Sequence, residues 1–177
     1  MDGMTMLRVR PATAEDADAI ARIYNQGIEE RIATYDTNLR TADEIAAQIR
    51  EKSPRYPTIV VERAGTVVAW AWAKPYSTRA CYAGIVDHSV YVAREARGIG
   101  AGTLALDGLI RACVDEGCWK ITSRIFPENT ASLALHERVG FRVVGTYERH
   151  AKVDGVWRDS VIVEKLIGEA ATAGEKP

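Results

Sequence analysis

Cysteine is scarce in this 177-residue chain: only Cys81, Cys113 and Cys118 occur, and no two of them form a C-x-x-C pair. An odd number without that spacing argues against a disulfide framework and against a zinc site, and it fits a reducing cytoplasm. An excess of charge of one sign is lacking too, since 23 Lys and Arg face 24 Asp and Glu. With no global field, neither nucleic acid nor an anionic membrane is an expected partner, and any charged ligand has to be met locally. No apolar run approaches the roughly eighteen residues of a membrane span, and Met1 to Leu7 has no signal-peptide apolar core. Internal repeats and low-complexity segments are also missing. What is present is enough apolar side chain, 47% of residues, for one core. The length allows no second ordinary domain without a visible linker. A single domain over residues 1–167 is expected. Gly168 to Pro177, which mixes Ala, Gly, Glu and Lys without apolar periodicity, reads as a frayed tail.

The local patterns alternate between strand and helix. Leu7 to Arg10 alternates as a short strand. Thr13 with Asp16, and Thr41 with Glu44, form capping boxes ahead of apolar residues at helical spacing. Thr58–Arg63 and Thr66–Trp72 are β-branched and aromatic runs around Ala64-Gly65, a hairpin pattern. Trp70 and Trp72 share a face, which favours core over a stacking platform for bases. A connector from Tyr76 to Gly84 leads to a strand at Ile85–Val92. A helix follows from about Gly100 to Gly117, then a strand at Trp119–Phe126 and a helix at Thr130–Val139 closed by Gly140. Phe141–Tyr147 and Val156–Leu166 read as a last strand pair joined through Asp154-Gly155. The order β-α-α-β-β-β-α-β-α-β-β indicates a mixed α/β (α+β) domain.

Between the fourth strand and its helix stands Arg97-Gly98-Ile99-Gly100-Ala101-Gly102. Glycines there let a ligand approach backbone N–H groups and a helix N-terminus, which suits phosphate oxygens. It is not a Walker loop, and Thr103 stands where the dinucleotide fingerprint has its third glycine. A tight connection with glycines for packing alone explains the run equally well.

The longer run Val90 to Gly102 resembles the acetyl-CoA motif of the GNAT superfamily, Arg/Gln-x-x-Gly-x-Gly/Ala after the fourth strand. Asn129 to Phe141, an Asn followed by a helix and Gly-Phe, is similar to the second part of that signature. Pro75-Tyr76, Arg79, Tyr82, Val86 to Val92 and Trp157-Arg158-Asp159 resemble the phosphinothricin and methionine sulfoximine N-acetyltransferases, over nearly the whole chain. The resemblance implies the GNAT fold, a mostly antiparallel twisted sheet of six to seven strands flanked by about four helices. It also implies acetyl-CoA as cosubstrate, no metal, a small-molecule amine as acceptor and a homodimer. Expected at the cosubstrate are Val90, Tyr91, Val92, Arg97, Gly98, Ile99, Gly100, Ala101, Gly102, Thr103, Asn129 and Ser132. Asn129 also reads as a helix N-cap.

Transfer to an amine near neutral pH requires a base, because the amine is mostly protonated. The family has a Glu where this chain has Asp87, one methylene shorter, which favours a bridging water. The other reading of Asp87 is a strand-end carboxylate satisfied by backbone or by an Arg. His88, its neighbour, points to the opposite face of a strand and is read as a packing or structural residue. His136 stands where many GNAT enzymes carry a Tyr thought to protonate the departing thiolate; a buried His held by a carbonyl is an equal alternative. Arg79 has the fork that binds carboxylate or phosphinate, helped by Lys74, with Tyr35, Tyr76 and Tyr82 as walls; a solvated charge and core-covering tyrosines are the alternatives. Ser77 replaces a basic residue frequent in that family. A polyamine, an aminoglycoside or a protein N-terminus is the competing acceptor, and a non-catalytic acyl-CoA-binding module the competing class.

Overall fold

The computed structural model describes residues 6–174. Its elements are β1 (Leu7–Pro11), α1 (Ala17–Glu30), α2 (Ala42–Glu51), β2 (Thr58–Arg63), β3 (Thr66–Pro75), β4 (Ile85–Val92), α3 (Ala101–Asp115), β5 (Lys120–Ile125), α4 (Thr130–Arg138), β6 (Arg142–Val153), β7 (Val156–Leu166) and α5 (Gly168–Thr172). The seven strands form one sheet in the order β1-β2-β3-β4-β5-β7-β6. Every pairing is antiparallel except β4 with β5, where α3 provides the crossover that a parallel pair requires.

Local chemistry accounts for the element ends. Thr41 Oγ1 accepts from Glu44 N at 3.2 Å and Glu44 Oε2 from Thr41 N at 2.9 Å, so α2 starts where the capping box predicts. Asp154 and Gly155 take φ of 48° and 79°, the left-handed pair of a two-residue hairpin turn. Strand β6 runs on to Val153, well past the predicted Tyr147, because the ladder resumes at Ala151 after a bulge. Within the stretch read as a tail, Gly168–Thr172 forms a short helix; residues 175–177 lie outside those described. No described helix is long and apolar enough to cross a membrane.

Helices pack on both faces of the sheet. On one face Tyr24 of α1 packs edge-on against Trp70, Trp72 and Tyr91 at 4.9 to 5.9 Å, so both tryptophans are core, as their shared face predicts. On the other face the Gly108 backbone of α3 lies so close to Val9 and Ile59 that an added Cβ would meet Val9 at 2.7 Å. Residues 87, 89 and 91 of β4 therefore face α1, while 88, 90 and 92 face α3 and α4.

The first strand is pinned by charge. Arg10 donates to both Asp16 oxygens at 2.8 and 2.7 Å and to Glu62 at 2.6 Å, and Asp16 Oδ2 also accepts from Thr13 N. The Arg10 bond holds the Asp16 carboxyl below its ordinary value. A depressed carboxyl contributes stability that is complete above its unfolded pKa, about 3.9, and lost as pH falls through the folded value. Asp16→Asn should thus cost about 2 to 3 kcal/mol at neutral pH. Thermal melts should show the gap between parent and variant closing under acid conditions.

Candidate active site

Strands β4 and β5 are paired only at Ile85–Asp87 against Lys120–Thr122, although both continue. Past that point they part, and a cleft of about 660 Å³ opens between them. Side chains hold the root of the fork. Ser123 Oγ donates to His88 O at 3.1 Å, and His88 Nδ1 lies 2.9 Å from Thr122 O. The β5-facing edge of β4 from Ser89 onward has no strand partner, so its backbone groups can pair with an extended ligand's amides as a strand would.

At one end of the cleft lies the start of α3. Gly98 and Gly100 have φ of 79° and 89°, values that L side chains rarely adopt, and a Cβ at either would meet nothing within 4 Å. Helices α2 and α4 are capped by side chains, Asn129 Oδ1 accepting from Ser132 N at 3.2 Å in α4. No side chain caps α3. Its first N–H groups and the positive end of its dipole thus face a space shaped for an anion. Gly98, Gly100, Ala101, Gly102 and Thr103 line the cleft together with Val90, Tyr91, Val92, Asn129 and Ser132; Ile99 does not. The residues present fit the diphosphate and amide arm of acetyl-CoA. Arg97 lines the cleft too, but its guanidinium is held by both oxygens of Glu30 at 2.9 Å, which leaves its backbone for a ligand. The Tyr91 side chain is likewise spent on the core: its hydroxyl donates to Ala33 O at 3.1 Å.

The other end carries ionisable groups. Asp87 lines the cleft opposite Lys74 of β3, and Arg124 Nη1 of β5 donates to its Oδ2 at 3.4 Å. Burial pushes the Asp87 carboxyl above its ordinary value, while Arg124 and Lys74 pull it back. A carboxylate raised toward neutrality is better matched to accept a proton there. Asp87 is thus paired to an Arg and lines the cleft as well. Tyr35 also reaches the cleft, its hydroxyl bonded to Ser160 Oγ and its ring edge-on to Phe126 at 4.5 Å.

His136 is buried in α4, with Nδ1 2.7 Å from Ser132 O and Nε2 2.9 Å from His88 Nε2. Burial lowers its pKa, and that of His88, below the ordinary imidazole value. The structural reading of His88 agrees with these bonds, and both residues lie along the cleft.

The connector departs from expectation. Tyr76, Arg79 and Tyr82 do not line the cleft. The two tyrosine rings pack on each other at 5.8 Å, and Arg79 N donates to Ser77 Oγ at 3.2 Å within an exposed turn. The reason is topological: β3 continues to Pro75 and β4 starts at Ile85, so Tyr76–Gly84 loops beyond the strand ends that carry Lys74 and Asp87. Two cations line the cleft near Asp87, the expected Lys74 and also Arg124, which was not expected. Sequence reasoning missed it, because only the parallel β4–β5 pairing makes it a neighbour. Alternation two residues beyond Thr122, the register partner of Asp87, is the one signal that would have found it.

The comparisons agree with this geometry. Residues 19–141 match the model of the Acetyltransferase (GNAT) family. A phosphinothricin N-acetyltransferase of Streptomyces viridochromogenes is 30% identical over 86% of this chain and 84% of its own. An L-methionine sulfoximine/L-methionine sulfone acetyltransferase of Pseudomonas aeruginosa is 29% identical over 88% of this chain and 92% of its own. Among solved structures, a GNAT superfamily phosphinothricin acetyltransferase from Sinorhizobium meliloti in complex with AcCoA superposes with a TM-score of 0.86. It is 28% identical, covering 98% of this chain and 94% of that one. With the fork between β4 and β5, the uncapped helix at its end and these matches, the chain belongs to the GNAT family and is an acetyl-CoA-dependent N-acetyltransferase.

Proposed function

We propose that the enzyme acetylates the primary amine of a small amino-acid analogue of the phosphinothricin or methionine sulfoximine type. The observation that carries this reading is the placing of a carboxylate and two cations, Asp87, Arg124 and Lys74, in one cleft with the glycine-lined start of α3. From Asp87 to Val92 the strand spans about 17 Å, so base and anion site sit at separate ends of one slot. Acetyl-CoA supplies the acetyl thioester. Asp87 takes a proton from the acceptor's ammonium, directly or through a water, and the unpaired edge of β4 offers backbone N–H groups to the carbonyl oxygen as it gains charge. Arg124 and Lys74 meet the acceptor's carboxylate or phosphinate. A polyamine or aminoglycoside calls for an acidic pocket instead, and the two cations disfavour it.

The test is steady-state kinetics, read by thiol release, with methionine sulfoximine, phosphinothricin and a polyamine as acceptors. The parent should prefer the first two. Arg124→Leu should raise acceptor KM about ten- to hundredfold, the loss of a charge-assisted contact of roughly 1.5 to 3 kcal/mol, with acetyl-CoA affinity unchanged. Arg79→Ala should leave the acceptor KM unchanged, given its place outside the cleft. A preference for the polyamine, or an effect of Arg79 larger than that of Arg124, overturns this assignment of the acceptor site. The exposed Val143, Val144, Tyr147, Val156 and Trp157 on the β6–β7 side of the sheet support a homodimer, which a mass measurement in solution checks.

A further inference from the structure

The C-terminal end of α3 closes on two thiols. Gly117 takes φ of 76°, its N donates to Val114 O at 2.9 Å, and Cys118 N donates to Cys113 O at 2.9 Å. These two bonds make a Schellman ending, with the glycine as the left-handed residue that stops the helix. That ending folds the chain back so that the side chain just past the glycine meets the one in the last full turn, a contact that apolar residues commonly fill. Here both places are cysteine. The spacing is C-x-x-x-x-C, not a C-x-x-C motif, and only the turn brings the two together. Cys113 and Cys118 are 0% and 1% exposed, and the Cys113 thiol donates a hydrogen bond to the Cys118 sulfur. That bond raises the pKa of Cys113 and lowers that of Cys118, so Cys118 is the first of the two to ionise.

The surroundings supply positive charge. Arg55, on the loop between α2 and β2, favours the Cys118 thiolate, while burial and Glu116 at the end of α3 oppose it. The Arg55 Nε is buried without a hydrogen-bond partner, which leaves one donor of that guanidinium unspent. Lys52 of the same loop stands near Cys113. Its Nζ donates to the Thr58 hydroxyl at 3.2 Å. Two cations and one carboxylate thus act on the two thiols. A cysteine beside Lys or Arg is the kind that reacts, whereas one in purely apolar surroundings is inert. Burial shuts out bulky reagents, so the oxidant this pair can meet is about the size of water. Cys81, in contrast, lies exposed on the connector with no cysteine beside it.

We propose that Cys113 and Cys118 are an oxidisable dithiol that hydrogen peroxide converts to an intrachain disulfide, with Cys118 as the attacking sulfur and Cys113 as the resolving one. The Cys118 thiolate attacks one peroxide oxygen and the O–O bond breaks. The leaving hydroxide takes up the proton that Cys118 had released and becomes water, and Cys118 is left as a sulfenic acid. The Cys113 sulfur then attacks the Cys118 sulfur and the S–O bond breaks. The departing oxygen leaves as a second water with the Cys113 proton. Two thiols lose two electrons in all, and one peroxide gains them. The new bond joins the last turn of α3 to the residues that lead into β5, and a thiol reductant reverses it.

The experiment treats the folded full chain with hydrogen peroxide, quenches it, and weighs the tryptic peptide Ala112–Lys120, which holds both cysteines. In the parent that peptide should lose two hydrogen atoms, resist alkylation after unfolding, and return to the dithiol with dithiothreitol. The oxidised protein should melt at a higher temperature than the reduced one, because a bond between residues already in contact restricts mainly the unfolded chain. Cys113→Ser should stop at a Cys118 sulfenic acid that dimedone traps, and Cys118→Ser should leave Cys113 as the thiol. Arg55→Gln should slow closure about threefold or more and move its pH profile upward, which a purely structural arginine would not do. Cys81→Ser should close as the parent does, and with the parent it carries the test if a serine variant at 113 or 118 does not fold. A peptide that keeps both hydrogens while Cys81 is oxidised, closure seen only in urea, or a melting temperature lowered by the bond overturns the proposal. None of these readouts depends on acetyl transfer.

Discussion

Gly100→Asp should remove measurable acetyl-CoA binding. The position has φ of 89°, lines the cleft at the uncapped start of α3, and has open space around its missing Cβ. An L residue there pays roughly 1 to 2 kcal/mol for the left-handed backbone. An added carboxylate also sits where phosphate oxygens have to be received, so attraction to the helix end turns into repulsion. Losing contacts to a charged group at roughly 1.5 to 3 kcal/mol each places the weakening at about a hundredfold or more. Gly100→Ala separates the causes, since it carries the backbone strain without the charge and should weaken binding far less. Titration calorimetry with acetyl-CoA on both variants measures the difference. Equal affinity in Gly100→Asp and the parent would mean that the loop does not hold the diphosphate.

Asp87→Asn should lower turnover about a hundredfold or more, the range for a positioned general base, with acetyl-CoA affinity retained. The pH profile carries a second test. Burial raises the Asp87 carboxyl and Arg124 lowers it, and a base works only when deprotonated, so activity rises with pH through the folded value. Removing the guanidinium in Arg124→Leu takes away the stabilisation of the charged form, and the acid limb should move to higher pH. Asp87→Glu should retain measurable activity, because the longer carboxylate replaces the bridging water. If the acid limb of kcat/KM stays in place in Asp87→Asn, the proton goes to another group.

Much of the fold was legible because its signals are local. The Thr41–Glu44 capping box and the Asp154-Gly155 turn are closed by residues within three positions of each other, so a reader of the chain sees both partners. The same holds for the glycines of the 97–103 loop, whose strand-to-helix setting is written on either side of them. The full length of β6 was not legible, since the ladder that extends it past Tyr147 depends on β7 resuming its register after a bulge.

The site divides along the same line. The stretch expected at the cosubstrate, Val90 to Val92 and Arg97 to Thr103 with Asn129 and Ser132, lines the cleft except for Ile99, and it could be named from sequence because main-chain binding leaves its mark as glycine and a strand-helix order. The side-chain half depends on contacts between residues far apart. His88 meets His136 across 48 positions and Tyr35 meets Ser160 across 125. Arg124 reaches Asp87 only because a parallel crossover sets Asp87 beside Thr122. The loop that carries Arg79 is excluded from the cleft for the same reason, that strand length and pairing fix where a connector lies. The sequence by itself determined the order of elements, the glycine-rich start of α3 and the carboxylate on β4, since these follow from short-range backbone chemistry. Only the tertiary structure decided that β4 and β5 part after three paired residues, which cation stands by Asp87 and that two histidines face each other, because parallel pairing is set by how α3 packs across the sheet.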